Sequence, residues 1–231
     1  MSLGTKQGFN IISYTGTGTV TDDLNHHLGE TPTFIIIKKL NGAHNWAVKM
    51  PKHMAGGQRL ELQSSGGYGS EGAGSGSLWN AENPNATRIR FGNYGMTNGT
   101  GDSYIAYVWK DVEGLQKFGT YKGNQSSGGP FVYCGFRPAL VWIKRNASGK
   151  WNVADSTRDP LEGPHGRDLE VNTDQPAESY ASDNHVDLVS NGFKIRSGNE
   201  SEHNANGETY HFAAWSAQSM HNLYGAQSDA R

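Results

Sequence analysis

Cysteine is nearly missing from this chain: Cys134 stands alone in 231 residues, so the fold cannot rest on an internal disulfide. Folding in a reducing compartment is the matching expectation. The neighbours of that cysteine in "FVYCGF" are apolar, which marks a buried, inert thiol and not a nucleophile. Long apolar runs are missing as well. None reaches the roughly 18 residues that carry a helix across a bilayer, so membrane insertion is not expected. No secretion signal precedes "GTKQGFN", and residues 1–3 are set aside as a remnant of expression.

Charge is scarce too. Charged residues make up 18%, and the net charge is −2, which offers no global attraction to nucleic acid. The basic pairs Lys38-Lys39 and Lys144-Arg145 read as solvated strand ends. No convincing helical period runs through the sequence. The usual chemical signatures are also lacking. There is no H-E-x-x-H, no C-x-x-C and no serine elbow, and the nine histidines, with His26 and His27 adjacent, read as scattered surface residues. "GYGSEG" (67–72) fits a dinucleotide pattern only literally, because "AGSGSLW" after it cannot start a helix. Acidic residues at Asp22-Asp23, or Asp155, Asp159, Glu162 and Asp168, match no defined calcium loop. No catalytic residue, metal or cofactor is therefore expected.

What the chain does have is glycine, 31 residues or about twice the usual share, together with an internal repeat. "TRIRFGNYGMTNGTGDSYIAYVW" (87–109) falls on "FKIRSGNESEHNANGETYHFAAW" (193–215) without a gap. Ile89, Arg90, Gly92, Asn93, Asn98, Gly101, Tyr104 and Trp109 meet Ile195, Arg196, Gly198, Asn199, Asn204, Gly207, Tyr210 and Trp215. Pro32, Ile37 and Lys38 likewise meet Pro138, Ile143 and Lys144, and Tyr14 and Gly16 meet Tyr121 and Gly123. Such a fixed offset is the mark of a tandem duplication.

Each unit reads as strands: "FNIISY", "TFIIIKK", "NWAVKM", "RLELQ", "TRIRFG" and "SYIAYVW" are short, β-branched or alternating, and bounded by Gly, Asn, Ser or Pro. The predicted fold is all-β, with two tandem pseudo-repeats (4–112 and 113–231) forming packed antiparallel β-sandwich units of jelly-roll or lectin-like type. The alternative is one pseudo-two-fold sandwich. The short, partly apolar junction at 110–121 argues for close packing of the units, and "SSGGYGSEGAGSGS" (64–77) is expected to be a mobile surface loop. Its counterpart in the second unit, 156–185, is longer and more acidic.

Trp46/Trp151 and Trp109/Trp215 recur at equivalent positions and so read as packing residues. Tyr68, Trp79, Tyr94 and Tyr180 are not clearly duplicated and neighbour Gly/Asn-rich loops. Exposed rings beside Asn, Asp and Ser are what a sugar-binding surface uses, so these four and Asp102 form the candidate ligand set. The competing reading is of loop aromatics folded back on the core. Asp102 and Glu208 precede Tyr104 and Tyr210 at near-equivalent positions, which favours a turn role over two catalytic roles.

Residues 104–145, "YIAYVWKDVEGLQKFGTYKGNQSSGGPFVYCGFRPALVWIKR", resemble a repeat in structural proteins of tailed phages, especially marine cyanophages. The shared elements are Val112-Glu113-Gly114, Lys117 to Asn124, Gly129 to Ala139 and Lys144-Arg145; the first unit lacks "GPFVYCGFRPA". The resemblance implies a virion protein of tail-fibre or appendage type, folded in the bacterial cytoplasm, with other virion proteins as partners and a homo-oligomer, a trimer by analogy. The expected function is non-enzymatic adhesion to host-surface polysaccharide. The alternatives are a purely structural assembly role and a tail-spike glycan hydrolase, which would need two carboxylates across a cleft.

Overall fold

The structure is a computed structural model that describes residues 2–4, 8–158, 167–174, 178–179, 186–198 and 201–217. It is all-β, and the chain divides into two compact units, Met1–Asp111 and Val112–Arg231.

The first unit contains β1 (Ser2–Gly4), β2 (Phe9–Thr15), β3 (Asp22–Asn25), β4 (Phe34–Lys39), β5 (Ala47–Lys49), β6 (Gln58–Glu61), β7 (Gly69–Ser70), β8 (Arg88–Phe91) and β9 (Ser103–Trp109). Seven of these form an antiparallel sheet in the order β1-β2-β9-β4-β5-β6-β7, and β3 pairs with β8. Residues 2–4, of which Ser2 and Leu3 were set aside in the sequence reading, pair with β2 as an edge strand along Phe9–Ile11. Ile12, Ile35, Ile37, Tyr104, Ala106 and Val108 from the large sheet close on Ile89 and Phe91 of β8 to make the core. The alternation along β9 explains this: Tyr104, Ala106 and Val108 share one face, and that face is buried.

The second unit contains β10 (Gln116–Lys122), β11 (Phe131–Tyr133), β12 (Pro138–Arg145), β13 (Trp151–Asp155), β14 (Arg167–Glu170), β15 (Glu178–Ser179), β16 (Val186–Val189), β17 (Gly192–Ile195) and β18 (Thr209–Ser216). Its larger sheet runs β10-β18-β12-β13-β14-β15, the order of β2-β9-β4-β5-β6-β7, and a smaller sheet runs β11-β17-β16. Tyr121, Val141, Ile143, Tyr210, Phe212 and Ala214 close on Val132, Val186, Leu188, Phe193 and Ile195. Each unit thus encloses a sandwich core of its own.

The same hydrogen-bonded knot sits in both. Asn98 is buried; its Oδ1 accepts from Thr17 N–H at 2.8 Å, and its Nδ2 donates to the carbonyls of Thr19 and Gly92 at 3.0 and 2.9 Å. Asn204 accepts from Asn124 N–H at 2.8 Å and donates to Ser126 and Ser197 at 2.9 and 2.6 Å. Tyr104 donates to Gly95 O and accepts from Gly99 N–H; Tyr210 does so with Ser201 and Ala205. The Tyr14–Tyr104 and Tyr121–Tyr210 rings stack at 5.1 and 5.0 Å. A Cβ on Gly16 would lie 2.3 Å from Gly99 O, and one on Gly123 2.2 Å from Ala205 O, so only glycine lets the backbones meet there.

Burial corrects several sequence expectations. Lys144 is not a solvated strand end: it is fully buried and donates to the carbonyls of Arg145 and Ala147. Lys39 and Arg145 pair with Asp102 and Glu208. His26, His203 and His211 are buried, not surface residues; His26 closes the β3 turn, its Nδ1 accepting from Leu28 N–H and its Nε2 meeting Asn85 O. Cys134 is buried, and that burial pushes its thiol up to about 12. At pH 8, labelling of the folded protein by a disulfide reagent is expected to run about a thousandfold slower than in denaturant, because so little thiolate is present. Rapid labelling of the native chain would contradict that burial.

Candidate functional site

β6 ends the well-paired part of the first large sheet, and only the two-residue β7 continues it. Arg59 and Glu61 lie two apart on β6, so they share the face opposite the buried Leu60. The chain then turns through Ser64 and returns past Gly66, Gly67, Tyr68 and Gly69. These residues line an open groove of about 210 Å³. That volume lies below the roughly 300–1,000 Å³ of enclosed small-molecule pockets.

The groove is held by charge. The Arg59 guanidinium reaches Glu61 at 3.3 Å on one side and Glu71 at 3.5 Å on the other. Glu61 also accepts from Asn45 Nδ2 at 2.6 Å. Glu71 Oε1 accepts from the N–H groups of Leu78 and Trp79, both at 2.7 Å, and Glu71 N–H donates to Gly57 O. A Cβ on Gly69 would meet Arg59 Cζ at 2.9 Å, so the guanidinium lies against bare backbone. Segment 64–77 is therefore tied to its sheet at Gly69, Ser70 and Glu71, contrary to the expectation of a mobile loop. Burial pushes the Tyr68 phenol up to about 12.

Beneath this edge, Lys49 is fully buried and donates to the carbonyls of Ala55, Gly56 and Gln58 at 2.6, 2.6 and 2.8 Å. Its Nζ sits 5.9 Å from the centre of the Trp79 ring. Lys49 thereby sets the path of the turn from which β6 departs.

Of the sequence candidates among the described residues, only Tyr68 lines the groove. Trp79 is 0% exposed and packs on Phe91, so it is a core residue and cannot stack on a sugar. Tyr94 is 39% exposed and meets His44 edge-on at 5.8 Å. Asp102 is occupied by Lys39 at 2.7 Å, whose hydrogen bond holds the carboxyl below the usual range; it is a turn residue. Tyr180, Asp159, Glu162 and the side chain of Asp168 lie outside the described residues. Asp23 is bound by Arg88 and Arg90, and Asp155 by Arg158. Among the described residues no three His, Cys, Asp or Glu side chains are placed to hold a metal, and no helix is long and apolar enough to cross a membrane. Sequence reasoning missed Arg59 and Glu61. The available signal was "RLELQ", where alternation sets two opposite charges on one face directly before a glycine-rich turn.

No curated protein and no solved structure matches the chain. A family model described as a domain of unknown function, DUF7483, matches residues 1–219, and the chain belongs to that family.

Proposed function

We propose that this protein is a non-enzymatic phage virion module, of a tail fibre or similar appendage, that adheres to host-surface glycan. The groove beside β6 carries the reading. It offers a tyrosine that stays neutral, a guanidinium fixed by two carboxylates and a floor of glycine backbone. A sugar ring can stack on the phenol while its hydroxyls bond to charged groups already oriented. Both carboxylates are spent on holding Arg59, an arrangement that suits binding more than hydrolysis. The matched strand orders and asparagine knots support descent of the two units from one duplicated ancestor.

A screen of bacterial surface polysaccharides against the wild-type chain, Tyr68→Ala and Arg59→Ala tests the reading. Tyr68→Ala is expected to weaken binding about tenfold, the value of one aromatic stacking contact of ~1.4 kcal/mol. Binding that both variants retain in full would remove the groove from consideration. Silence across the screen would favour the second reading, a purely structural virion role. The observation favouring that role is the pair of exposed aromatics on β11.

A further inference from the structure

Among the described residues β11 is the outer strand of the small sheet in the second unit and pairs only with β17. Ile195 N–H donates to Pro130 O, and Cys134 N–H donates to Asn191 O. Antiparallel strands alternate their bonding direction residue by residue. Pro130, Val132 and Cys134 therefore face β17, whereas the N–H and C=O groups of Phe131 and Tyr133 point away from it along the free edge. The side chains alternate too. Val132 goes into the core, while Phe131 is 47% exposed and Tyr133 58% exposed.

Natural sheets guard such edges with charge. The corresponding edge of the first unit does so: β3 carries Asp22 and Asp23, with Asp23 bound by Arg88 and Arg90 across the pair. β11 carries two aromatic rings instead. Its flanks are cationic. Lys117 sits 5.3 Å from the centre of the Tyr133 ring, and Lys194, directly opposite Phe131 on β17, donates to the carbonyls of Gly128 and Gly129. Among the described residues neither ammonium has a carboxylate within ion-pairing distance.

We propose that β11 is a docking edge for an extended acidic segment of another protein, added as a further strand beside Phe131 and Tyr133. The free backbone groups supply the ladder. The two rings supply apolar contact for alternate side chains of the guest, and Lys117 and Lys194 supply charge complementarity for its carboxylates. The site shares no residue with the groove at β6, so each stands or falls alone.

The full chain is titrated against a fluorescein-labelled peptide of about eight residues whose one face alternates glutamate and valine and whose other face is serine, the length of a long strand, with anisotropy as the readout. Saturable, salt-sensitive binding is expected. Phe131→Ser combined with Tyr133→Ser is expected to weaken it about tenfold or more, as loss of interface aromatics does. Lys117→Glu, which keeps both rings, should weaken it as well, with circular dichroism unchanged in every variant. The same peptide N-methylated at alternate residues should not bind, because it cannot pair with the edge. Failure of the glutamate peptide to bind the folded chain would overturn the proposal, as would equal binding by a lysine–valine peptide or by the N-methylated one. Concentration-dependent self-association that disappears in the same variants would assign the edge to a second copy instead.

Discussion

Replacing Lys49 by methionine is expected to unfold the groove and to cost the first unit about 3–5 kcal/mol, since breaking a buried charged network leaves its partners unpaired. Methionine fills the space of the aliphatic stem but offers nothing to the carbonyls of Ala55, Gly56 and Gln58, which lose a common donor. For a unit of this size the loss corresponds to a fall in Tm of about 15 °C or more. The measurement is calorimetry, with hydrogen exchange locating the loss at 50–61. A shift below a few degrees would mean that water replaces the ammonium without cost.

Lys49 also carries a pH signature. Burial lowers its amine from 10.5 to about 7, and the negative charge of Glu71 only partly opposes that shift. Between these values the unfolded chain binds the proton more tightly than the folded one does. Unfolding then takes up a proton, so stability rises with pH across this window. The slope should be absent from Lys49→Met, and a wild-type slope of the opposite sign would contradict the burial.

The second large effect is expected at the two asparagine knots. Asn98→Ala strands the Thr17 N–H and the Thr19 and Gly92 carbonyls, and Asn204→Ala strands the same three kinds of group in the second unit. Leaving three groups without partners, with the Gly92 and Ser197 carbonyls in the buried bonds, costs about 2 kcal/mol in each case. Because each unit has its own core, each substitution is expected to lower only its own unit's transition. Hydrogen exchange read peptide by peptide separates the two. Asn98→Asp, which turns a carboxylate oxygen onto the Thr19 and Gly92 carbonyls in a buried site, should cost at least as much as alanine. Equal loss of protection in both units from either substitution would show that the units unfold together.

Both sets of residues illustrate what a sequence discloses. The asparagine and tyrosine positions were legible because the repeat aligns Asn98 with Asn204 and Tyr104 with Tyr210; an element needed twice is written twice. The pairing of Asp102 with Lys39, matched by Glu208 with Arg145, followed from the same equivalence as a turn role. Lys49 was not legible. It alternates with Val48 and Met50 as any exposed lysine on a strand would, and only the turn at 55–58 folding over it removes it from water. Trp79 went wrong for the same reason. A tryptophan beside glycine and serine reads as exposed until Phe91 and Lys49 are found against its faces. At β11 nothing in the sequence marks the edge: "FVY" is apolar throughout, and a three-residue edge strand buries only its middle side chain.

The sequence by itself determined the all-β class, the positions of most strands, and the pairs of residues that hold each unit's turns. These depend on local chemistry, namely side-chain alternation, glycine where backbones touch, and β-branched runs bounded by turn formers. Tertiary structure alone decided which lysines and histidines are buried, which aromatic rings face water, and that Tyr68, Arg59 and Glu61 line one groove. Burial is set by which sheet closes over which face, and that is a property of contacts between residues far apart in the chain, which no local pattern carries.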